Sequence, residues 1–416
     1  MRLLWLLLTC GLLAAQSPRL VRVGHLLDVR TGRWRPDVAL TLRGGLIEAI
    51  TPWPGPPATP DLDLSGRWVI PGLLDAHTHL FLQGNADAAA YEAQILKESV
   101  PYRTLRAAAA AKAALRQGFT TLRDLGTEGA GHADSDLKRA VGRGLLPGPR
   151  LQVADLAFSA TGAYPVLSPA WELHLPIGVQ TVDGEAEIRK GVREQVRHGA
   201  DWIKVYVDRG QRLGPDGRLR STLNFTDAEL AAFISEARRQ GRRTAAHAHG
   251  WDGIDAALRA GFDSIEHGSG FDEALLRRAA AQNTFWCPTL AAMAYVAPTR
   301  GGVYGKELPD RLHRAFALGV RLGVPIVNGS DAGAFPWDQP LSRELELMAE
   351  HGMTPLQALQ AATVRAAEAL GLASEVGTLE VGRRADFVVL EGDPLRDLTS
   401  LRRVHRVFKD GVAQAD

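Results

Sequence analysis

Seven side chains able to bind a metal fall in short motifs along this sequence. They are His77 and His79 in DAHTHL, Lys204 in DWIKVYV, His247 and His249 in AAHAHG, His267 in SIEHG and Asp331 in NGSDAG. His77 and His79 follow the apolar run WVIPGLL, and alternate side chains of a strand share a face, so both imidazoles leave the strand end in one direction. One His-x-His pair is weak evidence, but several imidazoles and a carboxylate meeting at one point make sense only around a cation. That donor set suits zinc and its neighbours, and an open coordination position lets such a metal lower the pKa of bound water to about 7.

The elements that must position these groups can be read from periodicity. Eight short apolar runs, WVIPGLLDA, FTTLRDL, RLQVAD, DWIKVYV, RRTAAHA, DSIEHG, TFWCPTL and PIVNGSD, alternate with helix-like stretches such as YRTLRAAAAAKAALRQG and TDAELAAFISEARRQG. Several helical stretches end at Gly, a common helix stop. Strand and helix in eightfold alternation predict an α/β protein, a parallel (β/α)8 TIM barrel over residues 68–375. Barrel enzymes carry their catalytic groups at the carboxyl ends of the strands, where all seven side chains are expected. The other histidines, His25, His132, His174, His198, His313, His351 and His405, fall in helices, loops or the terminal segments, and structural or surface roles are expected for them.

Residues 18–67 and 376–416 differ in character, with alternating runs such as VALTLRGGLIEAI and ADFVVLEG. They are expected to pair into one small β-sandwich built from both chain ends, with TPWPGPPATP as a turn and linker segment. The 416 residues, 45% hydrophobic, suffice for a barrel plus such a domain. The 48 basic and 47 acidic residues leave no field to gather nucleic acid or an anionic membrane. A small-molecule substrate is the expected partner, and self-association into a homo-oligomer is compatible with this composition.

Residues 1–17, MRLLWLLLTCGLLAAQS, have the basic start, apolar stretch and small residues of a secretory signal peptide, and are too short for a membrane span. This predicts a periplasmic or secreted mature chain. A frayed hydrophobic terminus is the competing reading. Cleavage there would remove Cys10 and leave Cys287 alone, so no internal disulfide is expected.

Lys204 has two readings. As an ammonium flanked by apolar residues it could reach out to Asp208; carbamylated by carbon dioxide it would become an anionic oxygen ligand between two metals. Arg209, just past the same strand, is placed to hold a substrate carboxylate by a bidentate pair.

Taken in order, VIPGLLDAHTHL, GFTTLRDLG, DWIKVYV, AAHAHG, SIEHG, NGSDAG and VGTLEVGRRADFVVLEGDPL resemble the amidohydrolase superfamily, and within it the imidazolonepropionase-related and Xaa-Pro dipeptidase-like branch. The resemblance covers nearly all of the chain after residue 17. It implies two divalent metal ions of the zinc type: His77 and His79 would bind the more buried one with Asp331, carbamylated Lys204 would bridge, and His247 and His267 would bind the second. His249 then becomes a substrate or transition-state contact. Dipeptidase-like relatives carry Thr-Gly-Gly-His after strand three and a Tyr two residues past the strand-five ligand. Here SATGAYP and His249 stand in those places, as if the two types were exchanged, so Tyr164 and His249 are the pair expected to face the scissile carbonyl.

The implied reaction is amide or peptide C–N hydrolysis by metal-activated water, with Asp331 carrying the proton to the leaving nitrogen. The substrate would be a dipeptide, as in a prolidase-like Xaa-Pro dipeptidase, or an N-acyl amino acid. A one-metal imidazolonepropionase-type cyclic amidase or deaminase is the alternative, with Lys204 structural. A non-catalytic exported binding protein would need lost ligands, and none is missing.

Overall fold

Pro71 and Gly72 divide a run that reads in the sequence as one strand. The computed structural model describes residues 18–84, 88–164, 170 and 172–414, so the signal-like segment and Cys10 lie outside the described residues. Leu62–Pro71 belongs to a terminal sheet, and Leu73–Thr78 opens the barrel. Pro71 has no N–H to continue a ladder, and at Gly72 an added Cβ would lie 2.2 Å from Thr120 Oγ1, so only glycine allows this crossing.

The barrel is the expected (β/α)8 arrangement. Leu73–Thr78, Phe119–Asp124 and Arg150–Val153 run parallel, as do Trp202–Tyr206, Arg243–Ala248, Ser264–His267 and Phe285–Cys287. Asp201 N donates to Val153 O at 2.8 Å and joins the two groups. The eighth run, PIVNGSD, is extended chain held by single bridges, Ile326 to Trp286 and Ala332 to Thr78, instead of a regular strand. It packs very tightly: a Cβ at Gly329 would sit 2.1 Å from Cys287 Sγ and 2.8 Å from His77 Cβ.

Inside the barrel, small side chains such as Ala76, Ala154 and Ala245 pack with Trp202 and Val327. The helices cover the outside with Leu115, Leu137, Ile188, Phe233, Leu258, Leu276 and Phe316, each such burial contributing about 1.5–3 kcal/mol. Local signals place the helices: Thr226 and Glu229 form a capping box at the start of Asp227–Arg239, whose Leu230, Phe233 and Ala237 are buried. Among the described residues no helix is long and apolar enough to cross a membrane.

Both chain ends build one seven-stranded sheet, in the order Val412–Ala413, Val404–Lys409, Phe387–Leu390, Leu62–Pro71, Arg19–Asp28, Arg33–Arg43 and Leu46–Pro52. The sheet folds over so that Leu46 bridges Arg384, with Ile47 N donating to Arg383 O at 2.8 Å. Val21, Val23, Leu40, Ile47, Phe387 and Phe408 fill the space between its halves.

Two connections on the strand-end side of the barrel have regular structure of their own. DRGQRLGPDGRLRS is a β-hairpin, Asp208–Leu213 paired with Leu219–Leu223, because alternating residues flank a Gly-Pro-Asp-Gly turn. APTRGGVYGKELP is largely helical: Gly302–Arg321 begins before Pro309 and brings Tyr304 onto a helix.

Candidate active site

The carboxyl ends of the strands converge on a cleft whose lining includes His77, His79, Lys204, His247, His249, His267 and Asp331. Asp75 ties the first strand to the eighth segment, accepting from His77 N and Ser330 N at 3.0 Å each, and Asp331 N donates to His77 O at 2.7 Å. In consequence Asp331 Oδ1 lies 3.5 Å from both His77 Nε2 and His79 Nε2.

Four of the five cleft imidazoles are oriented from behind. His77 Nδ1 lies 2.8 Å from Glu266 Oε2, His79 Nδ1 2.9 Å from Gly126 O, His267 Nδ1 2.8 Å from Thr289 Oγ1 and His249 Nδ1 3.1 Å from Ser269 Oγ. With Nδ1 engaged, Nε2 of each ring is left for the cleft, the arrangement by which metal-binding histidines are held. His77 Nε2 is buried and makes no hydrogen bond. Burial is the main force holding these rings below the usual imidazole range; for His77 Lys204 adds to it, and for His267 the neighbouring His247 does. Burial and Lys204 take His249 down to about 3. Neutral imidazoles with free lone pairs are what a cation requires.

Two donor groups follow. His77, His79 and Asp331 bring one atom each within 4.8 Å of one another, and so do His247, His249 and His267. His249 stacks on His267 with ring centroids 4.6 Å apart, near enough to His247 to stand with the second group as a third donor. Lys204 is 1% exposed, and its Nζ has no hydrogen-bond partner among the described residues. Asp208, its alternative partner, instead accepts from His249 N at 3.1 Å and Gly250 N at 2.7 Å. Burial pushes the Lys204 amine down to about 8, against the pull of Glu266 and Asp331. The donor chemistry, the unbonded His77 Nε2 and the buried, unbonded Lys204 Nζ all fit a centre for divalent metal.

Backbone strain gathers at the same rim. Glu128, Asp155, His267, Thr289 and Asp331 all have positive φ, between 50° and 72°. Such conformations persist for non-glycine residues where surrounding structure over-determines them, often at functional sites.

Tyr164 lines the cleft as expected, but its hydroxyl is bonded to Glu128 and lies 2.5 Å from Tyr91 Oη. Arg209 does not reach the cleft. It is exposed on the hairpin and donates from Nη1 to Asn224 Oδ1 at 2.5 Å. Strand alternation is the reason: Asp208 turns inward and is 2% exposed, which turns Arg209 out. Cys287 is free and buried, and burial raises its thiol, which suits a packed side chain and not a nucleophile. Among the other histidines, His132 stacks on His198, His313 on His351, and His25 on Trp68.

Several residues of the site escaped the sequence reading. Glu266 is salt-bridged to Arg123 Nη2 at 2.8 Å, and Arg123 lies over the Trp202 ring. Burial alone would raise Glu266; Arg123 and the His77 hydrogen bond outweigh it and hold the carboxyl well below its usual range. Glu128 and Tyr206 also line the cleft, and Tyr206 was discoverable, since it lies two residues from Lys204 on the same strand face. Leu82, Ala292, Met293, Val296 and Tyr304 form an apolar wall. Glu344 fixes that wall by accepting from Leu290 N at 3.0 Å and Ala291 N at 2.6 Å, at the start of the helix Leu290–Val296.

A TIM barrel with this constellation at its strand ends is the architecture of a metal-dependent hydrolase, and the chain belongs to the Amidohydrolase family, which matches residues 68–413. Its similarities within the family are to enzymes of differing substrate. Ochratoxinase of Aspergillus niger is 30% identical over 370 residues, 82% of this chain and 75% of that protein. Imidazolonepropionase of Deinococcus radiodurans is 29% identical over 384 residues, 87% of each. A solved Xaa-Pro dipeptidase with bound methionine superimposes with a TM-score of 0.86 at 28% identity, covering 96% of this chain and all of that one.

Proposed function

We propose that this protein hydrolyses the C–N bond of a small amide or dipeptide-like substrate at a centre for two divalent cations of the zinc type. The observation that carries the reading is Lys204: a buried amine with no hydrogen-bond partner among the described residues, facing imidazoles and Asp331. A cationic ammonium there would repel divalent ions by several kcal/mol at an effective dielectric near 20. Its lowered pKa favours the neutral amine, which adds carbon dioxide with loss of a proton and becomes an anionic ligand.

On this reading His77, His79 and Asp331 would hold one ion and His247 and His267 the other, with Lys204, once carbamylated, supplying an anionic oxygen ligand. Such ions supply an activated water near neutral pH and polarise the amide carbonyl. The chain's own groups do the rest. Asp331, whose carboxyl burial pushes up to about 8 before any cation is bound, receives the proton of the attacking water and delivers it to the leaving nitrogen. His249, with Nδ1 accepting from Ser269 Oγ, donates from Nε2 to the carbonyl oxygen as charge develops on it. The wall of Ala292, Met293 and Val296 receives the apolar part of the substrate and excludes water.

The test is a screen of dipeptides, N-acyl amino acids, aryl amides and lactams with zinc-loaded protein in bicarbonate buffer. Hydrolysis of at least one amide class, lost on chelation and restored by zinc, is the expected result. Turnover confined to imidazolone-type rings by a one-metal protein would move the assignment to a cyclic amidase. Export is also proposed, from the composition of residues 1–17. Mass spectrometry of the native protein should find a start near Gln16 or Pro18, and retention of Met1 would refute it.

A further inference from the structure

We propose that Glu128, with the phenols of Tyr91, Tyr164 and Tyr206, is a receptor for a protonated amine on the substrate. The preferred substrates are then amides carrying a free amine beside the scissile bond. The inference rests on the amide-hydrolase reading above and names the substrate class for it.

Glu128 follows the second barrel strand, in DLGTEG, with φ of 50°. A buried arginine secures that strained turn: Arg103, 1% exposed, donates from Nη2 to Thr127 O at 2.9 Å, Glu128 O at 2.8 Å and Phe81 O at 3.1 Å. Arg103 is engaged with main-chain oxygens and makes no salt bridge to the Glu128 carboxylate, though each feels the other's charge. That carboxylate faces the cleft, 3% exposed, and accepts from Tyr91 Oη at 2.6 Å, from Tyr206 Oη at 3.1 Å and from Tyr164 Oη. Phenols, with an ordinary pKa of about 10, are uncharged near neutral pH and supply donors without charge. The one ion-pair contact of Glu128 among the described residues is the His79 ring at 3.9 Å.

A carboxylate can accept about four hydrogen bonds, and three phenols leave room for an N–H donor, with phenol oxygens and ring faces nearby to complete an ammonium's surroundings. The balance of charge around the cleft agrees. Its lining holds Glu128 and Asp331 but no arginine, and no lysine except Lys204. Arg209, the expected carboxylate anchor, is on the outer hairpin, and the internal segments 85–87, 165–169 and residue 171 contain neither Arg nor Lys. A substrate amine therefore meets a charged partner here, whereas a substrate carboxylate meets no cationic side chain. The receptor is also close to the reacting centre, with the Tyr206 ring 4.6 Å from that of His247, so the amine must lie beside the scissile carbonyl.

The experiment compares leucine 4-nitroanilide with N-acetyl-leucine 4-nitroanilide on the zinc-loaded protein, a pair differing in whether the amine can be charged. Acetylation should lower kcat/KM at least about 100-fold, since a site built around a polar group rejects its absence strongly. Glu128→Gln should compress that ratio below about tenfold, and Tyr91→Phe, whose ring is outside the cleft, should compress it less. Equal or faster hydrolysis of the acetylated anilide by the wild-type protein overturns the proposal whether or not a variant folds. Should neither anilide be cleaved, calorimetry with butylammonium chloride decides. Binding that weakens at least tenfold in Glu128→Gln supports the receptor, and the amide-hydrolase reading is then decided separately by the screen of the other amide classes. Absent binding, or binding unchanged in the variant, overturns the receptor itself.

Discussion

His77 and Glu266 form a buried hydrogen bond of 2.8 Å between Nδ1 and Oε2, and Glu266 in turn faces Arg123 at 2.8 Å. This chain runs beneath the candidate metal centre and fixes which nitrogen of His77 faces the cleft. Carboxylate partners of this kind orient the ring and raise its basicity, and their loss costs about 10–100-fold in metal affinity.

Glu266→Gln should therefore weaken zinc binding by about one to two orders of magnitude with little change of fold. Competition against a chelator measures it. Affinity within twofold of the wild type would show that His77 does not depend on this contact.

Arg209→Met should leave kcat/KM within about twofold for every substrate found, carboxylates included, because the side chain is turned away from the cleft and bonded to Asn224. Steady-state kinetics on matched charged and uncharged substrates checks this. A selective loss on anionic substrates would mean the hairpin folds inward during turnover.

That these candidate side chains would meet was legible because they lie in or at the carboxyl ends of barrel runs, where period-two alternation and the apolar run are both local signals. The Glu128 cluster was not. Tyr91, Tyr164 and Tyr206 are 37, 36 and 78 residues from Glu128 and meet it only through the barrel's closure. Arg209 was misread for a related reason: its distance from strand four was right, but its direction is decided by the alternation of a hairpin that forms only on pairing with Leu219–Leu223. The eighth run was recognisable as barrel chain although Gly329 packs too closely on Cys287 and His77 for a regular ladder.

Away from the site, Glu236 is a buried carboxylate that accepts from Arg193 Nε at 2.8 Å and Nη2 at 3.0 Å, joining two barrel helices. Hydrogen bonding to Arg193 takes its pKa down to about 2 from 4.5. A lowered folded-state pKa gives stability that is present above about pH 4.5 and lost as pH falls through about 2. Arg193 is 54% exposed, so solvent screening reduces the effect to about 1 kcal/mol. Glu236→Gln should thus cost about 1 kcal/mol in urea unfolding at pH 7, with the difference shrinking from pH 4.5 downward. A difference independent of pH would assign the loss to packing.

A carbamylated Lys204 would let the site hold two metals, and counting the ions decides whether it does. Zinc-loaded protein in bicarbonate buffer should hold two ions per chain by plasma mass spectrometry. Lys204→Ala should hold at most one tightly and lose nearly all hydrolysis, with short carboxylic acids restoring part of both. Two tightly held ions and normal turnover in Lys204→Ala would contradict the account and leave the lysine a structural residue.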